Sequence, residues 1–259
     1  MVEDELVPEE AGWVRPPDEA VAGAARALVQ LVEKHLPQWF YGGEHLWRAY
    51  SAAMVMRMLD TLEAMMVLMV ADFPVDGLVL LRTLYEQVVV FCWVSIDRDA
   101  HLQRWISGAY WWERKLHNDA LDYDVKVLTP AQLKATEGAH AMPQVPQLAK
   151  EVDEHWGGRL IGFRPAGAGR EGILNFRGLY IAIYRMGSRP VHAQPHALDP
   201  YADFLAYPRR VSSREPTPES IWWPLAIPLV AQALLVCHEE LGWPDPDAIR
   251  AINNRMYGL

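Results

Sequence analysis

From Tyr184 to His192 the chain reads Tyr-Arg-Met-Gly-Ser-Arg-Pro-Val-His, which gathers a tyrosine, two arginines, a serine and a histidine into nine residues. Histidine titrates near neutrality and can move a proton. A guanidinium presents paired donors that hold two phosphate oxygens at once. The cluster therefore sets a proton-moving group, His192, beside arginines able to hold a phosphate, Arg185 and Arg189. Tyr184 and Ser188 add further polar contacts for a ligand. The plainer alternative is a structural cluster in which the histidine caps a carbonyl at a helix end.

A second pair lies far upstream. Arg82 and Glu86 are four residues apart in a strongly apolar stretch, on one helical face with Leu78, Val79, Val89 and Trp93. An isolated buried ion costs several kcal/mol, so such charges need partners. Either the two form an internal i,i+4 ion pair, or Glu86 holds Arg82 toward a bound anion. The second alternative predicts that Arg82, Glu86, Arg185 and His192 converge in space. Asp60 and Glu63, by contrast, share a helix face that reads as solvated or paired with Arg57.

Three other patterns carry less. Gly167 to Gly172 spells GxGxxG, but the dinucleotide fingerprint needs a strand before it and a βαβ unit around it. The segment reads as a flexible lead-in to a helix. His192 and His196 have HxxxH spacing, yet Pro195 breaks the helix that would align them, and no carboxylate completes a metal-binding set. No CxxC pair and no Glu-x-x-His repeat occurs either. No metal or cofactor is expected.

The elements that must position these residues are helical. Hydrophobic spacing predicts a first helix from Asp18 to Leu36, stopped by Pro37. A second is expected from about Glu44 to Ala71, with Leu46, Ala49, Ala53 and Met56 on its apolar stripe. A third, from about Val75 to Ile96, is apolar nearly all round, as a central bundle helix should be. Asp97 can cap a fourth, from Arg98 to about Ala120, which carries Tyr110, Trp111 and Trp112. Short helices are expected after Thr129-Pro130 and over about Pro146–Trp156. Residues 159–172 read as a loop with a brief extended piece at Leu160–Phe163. A helix over about Ile173–Met186 and an irregular stretch from Gly187 to Pro218 follow. Thr217-Pro218-Glu219 should start the last long helix, ending near Leu241, and Pro246 opens a short one. The expected architecture is an all-α bundle: an N-terminal tail (residues 1–17), then a single helical domain (18–259) with a loop-rich insertion between its later helices.

Composition agrees with a packed domain. Hydrophobic residues make up 51% of the 259, which excludes global disorder. Eleven tryptophans and ten methionines suit wide helix–helix interfaces and self-association. The two cysteines, Cys92 and Cys237, sit in separate apolar runs and read as free thiols, which points to the cytoplasm. The acidic start has no signal-peptide pattern. Ile221–Cys237 is slightly short of a membrane span, carries Pro224, Pro228 and Gln232, and reads as a core helix. A net charge of −9 argues against indiscriminate nucleic-acid binding. Arg159 to Arg214, however, holds nine arginines, no lysine and only three acids, a local +6 against −15 for the rest. Such a segment can meet a phosphate-bearing ligand, or simply be balanced by acidic neighbours in the fold.

Two stretches together, Leu81-Arg82-Thr83-Leu84-Tyr85-Glu86 and Tyr184-Arg185-x-x-Ser188-x-x-x-His192, resemble the marks of a large, mostly uncharacterised family of bacterial helical proteins. The match spans about Glu44 to Leu241 and implies no particular activity. The spacing of Arg185 and His192 also resembles the R-x(4–6)-H motif of HEPN domains. These are helical bundles, many of them RNases of toxin–antitoxin and phage-defence systems, whose motifs usually meet across a homodimer. That likeness implies a metal-independent endoribonuclease with Arg185 and His192 as its catalytic pair. Met186, where a polar residue is usual, and the irregular spacer with Gly187 and Pro190 depart from the pattern. The rival expectation is a non-catalytic protein that binds a small anionic ligand or a protein partner through the same residues with Arg82 and Glu86.

Overall fold

The computed structural model describes residues 18–41, 46–71, 73–157, 175–185, 187–188, 223–242 and 244–257. These form an all-α bundle, and no strand occurs among the described residues. The helices are α1 (Asp18–Tyr41), α2 (Leu46–Val70), α3 (Pro74–Ile96), α4 (Arg98–Leu121), α5 (Pro130–Ala135), α6 (Val145–Trp156), α7 (Phe176–Leu179), α8 (Ala226–Leu241) and α9 (Pro246–Met256). A π-helical turn, Tyr180–Arg185, continues α7. The expected tail (residues 1–17), the GxGxxG segment, the extended piece at 160–163, the histidine pair at 192 and 196, and the Thr217 helix start lie outside the described residues.

α3 is the axis of the bundle. It packs against α2, α4, α6, α8 and the π-turn. Its run of buried residues, Val88 to Ser95, explains why no polar face was legible in its sequence. α8 is the other interior helix, with every residue from Ala226 to Cys237 buried. A 3-10 turn over 223–225 leads into it. Trp223 there lies against Gly77 of α3, where a Cβ would come within 2.6 Å of the indole, so only glycine leaves room for the ring. α1 packs on α2, α8 and α9, closing the far side.

Helices α3 and α8 are long and apolar enough to cross a membrane, over Val75–Ile96 and Trp223–Leu241. Most of each apolar stretch is covered by neighbouring helices, as in a bundle core.

Local signals act largely as their chemistry dictates. The Asp97 side chain accepts from the Ala100 N–H at 3.1 Å and starts α4. Thr129 and Gln132 form a reciprocal capping box at α5, with Pro130 in the first turn. Asp60, Glu63 and Arg57 are all exposed. Cys92 and Cys237 are free and buried.

Three expectations need correction. α1 does not stop before Pro37 but carries it and runs on to Tyr41. A proline removes its own N–H from the helical ladder and crowds the carbonyl four residues back, which weakens a helix without always ending it. In α2 the expected stripe is the wrong face: Leu46, Ala49 and Ala53 are exposed, while Trp47, Ser51, Ala52, Val55, Leu59 and Leu62 are buried. A helix apolar on most sides offers more than one helical stripe, and here Trp47, stacked on Phe91 of α3, marks the buried one. The third correction concerns the helix expected over 173–186. Its α-helical part is four residues long, and the hydrogen-bond register widens from Tyr180 onward.

Candidate functional site

The residues singled out on α3 and in the later motif meet where the α7–π segment lies across α3. The segment runs antiparallel to the helix: Tyr85 contacts Phe176, Arg82 contacts Tyr184, and Leu78 lies under Gly187. Four residues cannot sustain an α-helix alone, so α7 borrows its ends from elsewhere. Asn175 caps it by accepting from the Gly178 N–H at 2.8 Å. Asp153 of α6 accepts from the Phe176 and Arg177 N–H groups, one on each carboxylate oxygen, at 2.9 and 3.0 Å. The fully buried Tyr85 donates its hydroxyl to the Phe176 carbonyl at 2.7 Å.

Burial raises the Asp153 carboxyl above its ordinary value, against the pull of the two backbone N–H groups and of Arg177. Burial also lifts the Tyr85 phenol, helped by the neighbouring Asp153 and Tyr180, so it stays a hydrogen-bond donor.

Beyond α7 the π-turn presents Tyr180 and Tyr184 on one side, their rings stacked at 4.9 Å. The Arg82 guanidinium lies over the Tyr184 ring, 4.5 Å from its centroid, and its Nη2 donates to the Tyr184 hydroxyl at 3.2 Å. Ser188 Oγ donates to the Tyr184 carbonyl at 2.6 Å and fastens the next turn. Gly187 is buried against Arg82 and Leu78.

Arg82 and Glu86 do not form the i,i+4 ion pair that their spacing allows. Arg82 instead turns to Tyr184, and its Nε is buried without a hydrogen-bond partner. A guanidinium has five N–H donors, and the hydrogen bond to Tyr184 is the one formed by Arg82 among the described residues. Glu86 is half-buried, and burial raises its carboxyl above the ordinary range more strongly than the Arg82 charge lowers it. The site thus has a partly buried cation with donors to spare, next to a carboxyl that burial holds above its ordinary range. Such an arrangement favours an incoming anion.

Of the sequence-selected residues, Arg82, Tyr184 and Ser188 are brought together, with Glu86 one turn along α3. The backbone of Arg185 closes the π-turn. The Arg185 side chain, and Arg189 and His192 entirely, lie outside the described residues. Sequence reasoning missed Asp153, Asn175, Tyr180 and the close seat of Gly187. Tyr85 was quoted within its motif without a role. The one available signal was the Asn175-Phe176 start, an N-cap residue before an apolar one.

Among the described residues no group of three or more His, Cys, Asp or Glu side chains could hold a metal ion. An open cleft of about 400 Å³ lies elsewhere, lined by Trp111, Arg114, Asn118 and Thr136 of the α4–α5 region, and takes in none of the motif residues.

No curated protein and no solved structure matches the chain. The sequence pattern of one family matches residues 48–205, a span that contains both the α3 motif and the Tyr184–His192 segment. That is well over half of the chain, and the protein belongs to this family, DUF5677, described as a family of unknown function.

Proposed function

We propose that the protein is a metal-independent endoribonuclease of the HEPN type, acting in a toxin or phage-defence setting as a cytoplasmic homodimer. The observation that supports this reading best is the Arg82–Tyr184 contact. It joins the two motif segments at an arginine with unspent donors, Arg82, through Tyr184, the sequence neighbour of Arg185. In this reading His192 accepts the proton of an RNA 2′-hydroxyl as that oxygen attacks the adjacent phosphorus. The 2′-O–P bond forms, the bond to the 5′-oxygen breaks, and the leaving oxygen takes up a proton. Arg185 offsets charge on the phosphoryl oxygens, and Tyr184, Ser188 and Arg189 orient the strand.

The test is cleavage of single-stranded RNA by purified protein in excess chelator. His192→Ala and Arg185→Ala should each lower the rate by about 10²–10⁴-fold, the usual worth of acid–base and charge-stabilising groups, with the fold intact. Arg185→Lys should rescue poorly, because an ammonium lacks the paired donors. A well-folded wild type inert on varied RNAs would remove the enzyme reading.

A second reading, in which the site binds a small anionic ligand or a protein partner without turnover, is favoured by the unspent donors of Arg82 alone. They ask for an anion and imply no reaction. Retention of RNA or phosphate with no cleavage would select it.

A further inference from the structure

Of the residues that carry the proposed chemistry, Arg185 closes and His192 follows a segment that does not fold on its own strength. α7 has four residues, and the π-turn that continues it has six. Their geometry is supplied by fixed helices beneath. We infer that Asp153 is a positioning residue: its carboxylate mounts the segment that carries Tyr184 and Arg185 onto α6, with Tyr85 of α3 as the second fastening. This inference rests on reading that segment as the functional site.

Three observations carry it. Both Asp153 oxygens are engaged, each by one backbone N–H at the start of α7, so the carboxylate fixes the direction of the segment as well as its place. The Phe176 carbonyl, which lies between those two donors along the backbone, accepts the buried Tyr85 hydroxyl, which ties the same residue to a second element. Asp153 itself stands on a firm support. Its α6 neighbours Ala149, Val152 and Trp156 are buried, and the Trp156 indole N–H donates to the Cys92 carbonyl of α3 at 3.1 Å. α6 is therefore locked to the same helix that carries Arg82, and a site held through rigid elements keeps its register. Asp153 contacts the backbone eight residues before Tyr184. It acts on the site through the segment.

The test uses the full chain and hydrogen exchange read by peptide. In Asp153→Asn the amide keeps one acceptor and turns a donor toward a backbone N–H. Exchange over residues 176–185 should accelerate about 5- to 30-fold, the scale of a lost capping acceptor. Exchange in α3 and α8 should stay unchanged. Asp153→Glu, which keeps the charge, should recover part of the protection. Tyr85→Phe, which removes one hydroxyl and keeps the ring, should loosen the same peptides more weakly. If Asp153 sets the meeting of Tyr184 with Arg82, the effects of Asp153→Asn and Arg82→Met on these peptides should be non-additive. Where the wild type cleaves RNA, Asp153→Asn should lower kcat with KM little changed.

A folded Asp153→Asn protein with wild-type exchange over 176–185 overturns the inference. So does additive behaviour with Arg82→Met. If the wild type cuts no RNA, the ribonuclease reading fails, while the exchange result still decides whether Asp153 mounts the segment.

Discussion

Gly187 lies so close to Arg82 that a Cβ on the glycine would come within 2.7 Å of the arginine Cβ and 2.9 Å of the Leu78 carbonyl oxygen. Backbone cannot swing aside as a side-chain tip can, so the segment after the π-turn rests on α3 only because this position is glycine. Gly187→Ala should lift the turn and part Arg82 from Tyr184. The expected loss of stability is about 1–3 kcal/mol, as for other overpacked contacts. Thermal melts and hydrogen exchange over 176–188 would check it. A wild-type melt with unchanged exchange would mean that the seat is softer than its geometry indicates.

Arg82 should matter through its shape as well as its charge. Arg82→Lys keeps a cation but loses the planar group that covers the Tyr184 ring and the paired donors beside it. Binding of a fluorescent single-stranded RNA, followed by anisotropy at low salt, should weaken in Arg82→Lys nearly as much as in Arg82→Gln. Full retention by the lysine variant would reduce Arg82 to a point charge.

The Glu86 carboxyl gives a pH-dependent test. Its folded-state pKa is raised by burial, so the folded protein binds its proton more tightly than the unfolded chain does. The associated stability is fully present below the unfolded glutamate pKa of about 4.3 and is lost as pH rises through the folded value. Glu86→Gln removes that loss. The variant should melt above wild type at about pH 8 and close to it at about pH 4, a comparison read directly from thermal melts. A variant less stable than wild type at the higher pH would show that the Arg82 charge outweighs burial.

The thiols of Cys92 and Cys237 should be slow to label in native buffer and fast in denaturant. Both are fully buried, and burial raises both thiols far above the range in which thiolate forms. Rapid modification of the native protein would mean that α3 and α8 open readily.

How far the sequence could be read depended on the range of each interaction. Helix starts set by neighbouring residues, such as Asp97 for α4 and Thr129 with Gln132 for α5, were legible because both partners lie within a few positions. The central place of α3 was legible from its all-round apolar surface. The buried face of α2 was not, because Leu46, Ala49 and Ala53 form as plausible a stripe as the residues that α3 covers. In the site, the expected convergence was of Arg82 and Glu86 with Arg185 and His192; the contact found is Arg82 with Tyr184, and the Arg185 side chain and His192 lie outside the described residues. The Asp153 cap was invisible, since that carboxylate serves donors more than twenty positions away on another element. The π register was equally hidden, because it is a choice among carbonyl partners that the residue pattern does not encode.

The interior place of α8 has a consequence for how the chain comes off the ribosome. Helices α1 to α3 emerge early, but the surface of α3 that α8 covers stays bare until residues 226–241 have been made. Until then a long apolar helix is exposed in a nascent chain, the kind of surface that aggregates or engages chaperones. Closure of the core is thus a late, long-range event. A chain stopped before Trp223 should collect as insoluble material or remain chaperone-bound, however well its first helices form.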